Sequence, residues 1–245
     1  MRRRRFHFEE KTTIATLLCD PAFRRVAEMA LIRSRREVEV YLLLDPIFGE
    51  THVPHAPLPG APGIVRKMCA AAAKAGVGPM ASVAGAFASA AVAEMIREGA
   101  DDAVVDNGGD IALQISEPLL VGIHTGSAAI RDLAFEILPR EGMLGVCASS
   151  GTVGHSFSYG RADAAVVLSP DVPLADAAAT ALANRVRSEA DLESCFGFLD
   201  FLPEIEGALV ILKDRMAMWG CLPKLVRISV DEALITCGHK AKQTL

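Results

Sequence analysis

The chain has 245 residues, 51% of them hydrophobic, which is enough for one large domain or two small ones with a well-buried core. Its formal net charge of −5 excludes the broadly basic surface that nucleic-acid binding requires. Aromatic residues make up only 5%, so the core must close through small side chains rather than large rings.

The one basic run, Arg2 to Arg5, has no interleaved aromatics and reads as a solvated start rather than a nucleic-acid or membrane tag. A signal peptide needs an apolar stretch of about 7 to 15 residues, but Phe6-His7-Phe8 runs straight into Glu9-Glu10-Lys11. The six cysteines form no C-x-x-C pair and read as reduced core thiols of a cytoplasmic protein. The uncharged segment from Ala75 is broken by Gly76, Gly78, Pro79 and Gly85, which points to a buried helix and no membrane span.

Two β-prone pieces flank Lys11, Thr12 to Leu18 being the clearer. Asp20-Pro21 then opens a helix, with Asp as cap, Pro in the first turn, and Phe23, Val26, Ala27, Ala30 and Leu31 at helical spacing. From Arg35 to Leu44 the apolar residues alternate as in a strand, yet the charged approach favours continued helix. Five prolines between Asp45 and Gly63 predict an extended connection, which sets residues 1–62 apart as an N-terminal layer of a single domain. His52-x-x-His55 lies in that connection without the acidic or cysteine neighbours of a metal site.

Ile64 to Ala75 and Pro79 to Glu98 read as two Ala-rich helices packed as an antiparallel pair around Gly76-Val77-Gly78. Short apolar runs follow at Ala103–Val105, Ile111–Ile115, Leu119–Ile123, Leu133–Leu138 and Ala164–Leu168. A helix covers Pro173 to Arg187, and further strands are expected at Ala208–Leu212, Met216–Trp219 and Leu225–Val230.

Four segments concentrate glycine, hydroxyl and acidic residues. Gly76 and Gly78 precede a helix, where free amides can receive an anion or form an ordinary turn. Asn107-Gly108-Gly109-Asp110 makes a tight hairpin whose bare backbone lets a flat or phosphorylated ligand approach, with Asp106, Asn107 and Asp110 beside it. Ser149-Ser150-Gly151-Thr152 offers hydroxyls and amides, and His155 adds a group that titrates near neutrality. A Ser-His-Asp hydrolase is disfavoured because no G-x-S-x-G elbow is present. Asp176 and Thr180 stand four apart on one helix face, either as hard oxygen ligands for Mg²⁺ or as a dipole-stabilised Asp and a Thr bonded to its own backbone.

The order of these motifs carries a resemblance. A-G-x-x-x-S at Ala84 to Ser89, N-G-G-D at Asn107 to Asp110, S-S-G at Ser149 to Gly151 and A-D-x-x-x-T at Ala175 to Thr180 resemble the ordered signature of the ApbE flavin transferases. The longer strings V-G-P-M-A-S-V-A-G, S-S-G-T-V-G-H-S and L-A-D-A-A-A-T-A are similar to a separate branch related to ApbE. The resemblance implies an α+β, T-fold-like antiparallel sheet with long helices on one face. It also implies FAD and Mg²⁺ as cofactors, with Asp176 and Thr180 on the metal and Gly108-Gly109 beside the nucleotide.

Two departures stand out. The family's K-G-x-x-x-D reads Ala84-Gly85-x-x-x-Ser89 here, losing a cation and a carboxylate, and its H-I-I-D-P-x-T-G has no clear counterpart after Gly151, where His155 is the candidate catalytic residue in place of the lost histidine. The expected function is therefore binding of a flavin-like or nucleotide-like small molecule with Mg²⁺, at Gly78, Asn107, Gly108, Gly109, Asp110, Ser149, Ser150, Gly151 and Thr152, without FMN transfer. The alternative is a non-catalytic assembly or ligand-sensing protein, self-association being open in either case.

Overall fold

The computed structural model describes residues 3–125, 127, 129–151, 160–228 and 236. The chain begins with a hairpin, β1 (Arg4–Glu10) and β2 (Thr13–Cys19), turned at Lys11 with φ 56°. Asp20 accepts from the Ala22 N–H at 2.8 Å and starts a 3₁₀ turn that leads into α1 (Arg24–Leu44), the helix expected from Asp20-Pro21. In α1 the buried residues Ala27, Ala30, Leu31, Val38 and Tyr41 form one stripe. The ambiguous stretch from Arg35 is therefore helix, and its apparent alternation leaves Val40 and Leu44 on the outer face.

The proline-rich connection departs from the extended chain expected of it. Asp45 accepts from the Phe48 N–H, Pro46 occupies the first turn, and a short α2 (Pro46–Glu50) forms. Phe48 is fully buried edge-on to Tyr41, with ring centroids 5.1 Å apart. The extended remainder is tied back, since Tyr41 Oη donates to Asp45 and accepts from the Leu58 N–H, and His55 Nε2 donates to Asp45 at 2.8 Å. That assigns His55 an anchoring contact.

α3 (Gly63–Ala75) ends at Gly76, whose φ of 74° is the left-handed cap that glycine adopts freely. A 3₁₀ turn at Pro79–Ser82 then leads into α4 (Val83–Arg97). The antiparallel pairing expected for these helices is a minor contact. α3 packs mainly on α5 (Val172–Arg185) and on the Pro79–Ser82 turn, whereas α4 packs mainly on α1, α5 and the sheet. Residues 79–97 are apolar and long enough to cross a membrane by composition, but in this fold they serve as a core helix between those neighbours.

The remaining strands are β3 (Ala103–Asn107), β4 (Asp110–Gln114), β5 (Leu119–Ile123), β6 (Leu133–Ile137), β7 (Leu144–Ser149), β8 (Ala164–Ser169), β9 (Gly207–Leu212), β10 (Arg215–Gly220) and β11 (Lys224–Arg227). An eight-stranded antiparallel sheet runs β1-β2-β3-β4-β7-β8-β9-β10, and a second sheet runs β11-β6-β5. Alternation along the strands sends Val105, Ala112, Cys147, Val167 and Val210 toward the helices, and Val104, Leu113, Val146, Val166 and Leu209 toward the small sheet. The fold is α+β, with the long helices on one face of the antiparallel sheet as expected. The small sheet covers the other face.

β7 was not expected, because Gly145 and Ala148 lack strand propensity. Packing dictates the glycine. A Cβ on Gly145 would meet Val172 Cα at 3.0 Å, so small residues there let α5 lie on the sheet. α5 is apolar almost all round, with Leu174, Ala175, Ala177, Ala178, Ala179, Ala181 and Leu182 fully buried. It is the central helix.

Candidate functional site

The Asn107-Gly108-Gly109-Asp110 turn closes β3 onto β4, with φ values of 69° and 105° at the two glycines. Positive φ at both central residues matches the twist of the flanking strands and favours glycine. Both glycines face open space. Asp106 Oδ1 accepts from the Gly109 N–H at 2.9 Å, and Asn107 Nδ2 donates to the Ala84 carbonyl of α4 at 3.1 Å. The turn is thus fixed from both sides of the sheet. On the outer face, the Thr236 hydroxyl donates to Asp106 Oδ2 at 2.5 Å.

Asp110 opens β4 opposite Cys147 of β7, and Ser149 stands two residues further along the same face. Asp110, Ser149, Asp176 and Thr180 are all at least nine-tenths buried. Asp176, in the second turn of α5, accepts the Gly85 N–H at 2.8 Å through Oδ2. It thereby caps α4 from a distant part of the chain, because Ser82 bonds instead to the Met68 and Pro79 carbonyls.

Burial pushes the Asp176 carboxyl up to about 7, against the opposing N–H groups of Gly85 and Ala84 and a hydrogen bond from Asp110. Burial, followed by the charges of Asp176 and Asp106, raises Asp110 well above the usual carboxylate range. The two carboxyls are therefore close neighbours. Burial and the same two acids push the Cys147 thiol up, which leaves it a poor nucleophile.

Two oxygens in this group have no hydrogen-bond partner: Asp110 Oδ1 and Ser149 Oγ. Leaving buried oxygens unpaired costs about 1–3 kcal/mol each, so their convergence with a second carboxylate is a place where a cation fits. The donors are carboxylate and hydroxyl oxygens, the set preferred by Mg²⁺. No cluster of three or more His, Cys, Asp or Glu side chains suited to a metal occurs among the described residues.

Strand pairing puts Asn107, Gly108, Gly109, Asp110 and Ser149 at one end of the sheet, and α5, which carries Asp176 and Thr180, packs on β7 and contacts β4 there. Ser150 and Gly151 adjoin them, with the Gly151 N–H bonded to the Ala162 carbonyl at 2.9 Å. Gly78 lies before the Pro79–Ser82 turn, where a Cβ would strike the Thr51 carbonyl. Thr152 and His155 lie outside the described residues. Sequence reasoning missed the part played by Gly85, whose signal was its place in the A-G-x-x-x-S string. An open groove of about 570 Å³ at Glu189, Leu192, Phe196, Arg215 and Met218 lies elsewhere and carries no comparable convergence of unpartnered oxygens.

The family model described as AbpE bacteria matches residues 1–194. A UPF0280 protein of Methanocella arvoryzae is 50% identical over 231 residues, covering 94% of each chain. One of Methanothrix thermoacetophila is 50% identical over 236 residues, covering 96% of this chain and 99% of the relative. Among solved structures, the flavin transferase ApbE from Vibrio cholerae superposes with a TM-score of 0.58 at 12% identity, over 89% of this chain and 97% of that one. The apo flavinyl transferase ApbE of Pseudomonas stutzeri gives 0.50 at 11% identity, over 91% and 95%. At these identities the likeness is one of fold.

Proposed function

Because the chain belongs to the AbpE bacteria family, we propose that it binds a flavin-like or nucleotide-like ligand together with Mg²⁺ at the end of the sheet where the Gly108-Gly109 turn meets α4 and α5. The observation that carries this reading is the pair of unpartnered buried oxygens, Asp110 Oδ1 and Ser149 Oγ, beside the Asp176 carboxyl. The described structures of similar fold are named as flavin transferases, which supports a flavin as the first ligand class to try.

Asp176 and Thr180, one turn apart on α5, are the residues to hold the cation. Bound there, Mg²⁺ would neutralise the charge of a diphosphate. Gly108 and Gly109 present bare backbone to a flat or phosphorylated group, and Ser150 and Gly151 line the adjoining end of β7.

Transfer of FMN is not part of the proposal. The position that carries lysine in the transferase pattern is Ala84, a side chain with no charge to place on a pyrophosphate. The position that carries aspartate is Ser89, whose hydroxyl donates to the Ala86 carbonyl of its own helix. Both changes remove charge.

The test is a thermal-shift series with flavins, nucleotides and pterins, each with and without Mg²⁺. A rise in melting temperature that requires both ligand and Mg²⁺ is expected. No rise with any of them would overturn the reading.

A further inference from the structure

We propose that Asp110 is a second carboxylate ligand of the cation site, facing Asp176 across the layer between sheet and helix, and that Ser149 Oγ is a further ligand beside it. This rests on the cation reading of Asp176 and extends the ligand set to residues on two adjacent strands.

Register places these groups. Asp110 pairs with Cys147, so its side chain shares the helix-facing side of the sheet with Cys147 and Ser149. α5 lies on β7 and also contacts β4 and α4, which brings Asp176 over Asp110. Asp176 Oδ2 is committed to the Gly85 N–H, whereas Asp110 Oδ1 has no partner although it is 91% buried, at 9% exposure. Ser149 Oγ has no partner at 6% exposure.

Among the described residues, the charges acting on Asp110 are those of Asp176 and Asp106, both acidic. A buried pair of acids with no base among the described residues beside it is a poor way to build a core and a good way to build a cation site. The recess also selects for size. With every oxygen nearly enclosed, a small ion can reach Asp110 Oδ1 where a ribose or base edge would need an open face, so a cation is the better occupant than the nucleotide sugar.

The experiment titrates the full chain with Mn²⁺, following free Mn²⁺ by its electron paramagnetic resonance signal, with and without ADP. The parent is expected to bind one Mn²⁺. Asp110→Asn is expected to weaken that binding at least tenfold and Ser149→Ala at least threefold. In thermal melts without metal, Asp110→Asn should be no less stable than the parent, because it removes a buried acid. Added Mn²⁺ should raise the melting temperature of the parent but not of this variant.

If Asp110→Asn binds Mn²⁺ as tightly as the parent while Asp176→Asn does not, Asp110 is no ligand and only the cation reading of Asp176 survives. If the parent itself binds no Mn²⁺ with or without ADP, both readings fall. Should Asp110→Asn not fold, Ser149→Ala carries the test, and unchanged Mn²⁺ affinity in that variant overturns the proposed ligand set.

Discussion

The backbone N–H of Gly85, in the first turn of α4, donates to Oδ2 of Asp176 at 2.8 Å, joining two helices from distant parts of the chain. The contact leaves no room for a side chain. A Cβ at Gly85 would lie 2.9 Å from both Asp176 Cβ and the Val172 carbonyl oxygen.

Gly85→Ala sets two effects against each other. Alanine in a helix gains up to about 1 kcal/mol over glycine. Overpacking at a closed contact costs about 1–3 kcal/mol and would push α5 off the sheet. The net expectation is destabilisation, read as a lower urea midpoint with little change in slope. An unchanged or higher midpoint would show that the contact between the helices yields.

Asp176→Asn keeps an oxygen to accept the Gly85 N–H while removing the charge. The metal-free variant should therefore melt close to the parent, with secondary structure intact by circular dichroism. Magnesium-dependent binding of a nucleotide or flavin should be lost in calorimetry. Equal affinity in the variant and the parent would remove Asp176 from the cation site.

Asp45 offers a pH-dependent test of the fold. Burial pushes its carboxyl up, but hydrogen bonds from His55 and Tyr41, the His55 interaction and the Phe48 N–H together hold it below its ordinary value. A depressed folded pKa means that the ionised form stabilises the protein above the unfolded pKa, near ~3.9, and that this contribution is lost as pH falls through the folded value. Asp45→Asn should cost about 1–3 kcal/mol at pH 7, and the gap to the parent should close below about pH 4. Chemical denaturation at both pH values checks it, and a gap that stays constant would contradict the assignment.

For transfer activity the expected outcome is negative. Incubated with FAD, Mg²⁺ and a standard ApbE acceptor, the chain should leave the acceptor without an FMN mass increment, because Ala84 and Ser89 supply neither cation nor carboxylate. An increment that disappears in Asp176→Asn would show that this chain transfers FMN.

The sequence by itself determined the features whose chemistry is local. Asn107-Gly108-Gly109-Asp110 specifies its hairpin because only residues tolerant of positive φ close a two-residue turn. Asp20-Pro21 and Gly76 mark helix ends through capping geometry confined to neighbouring residues. Asp176 and Thr180 share a face because of helical period alone. Tertiary structure decided the rest. Gly145 sits in a strand against its propensity because α5 needs a small residue beneath it, and Asp45 starts a helix inside a proline-rich stretch because Phe48 has a pocket against Tyr41. The meeting of Asp110 with Asp176, and the capping of α4 by Asp176, depend on strand register and helix packing between segments far apart in the chain. Local patterns do not encode such distances, and it is in that layer between sheet and helices that the candidate site takes its charge.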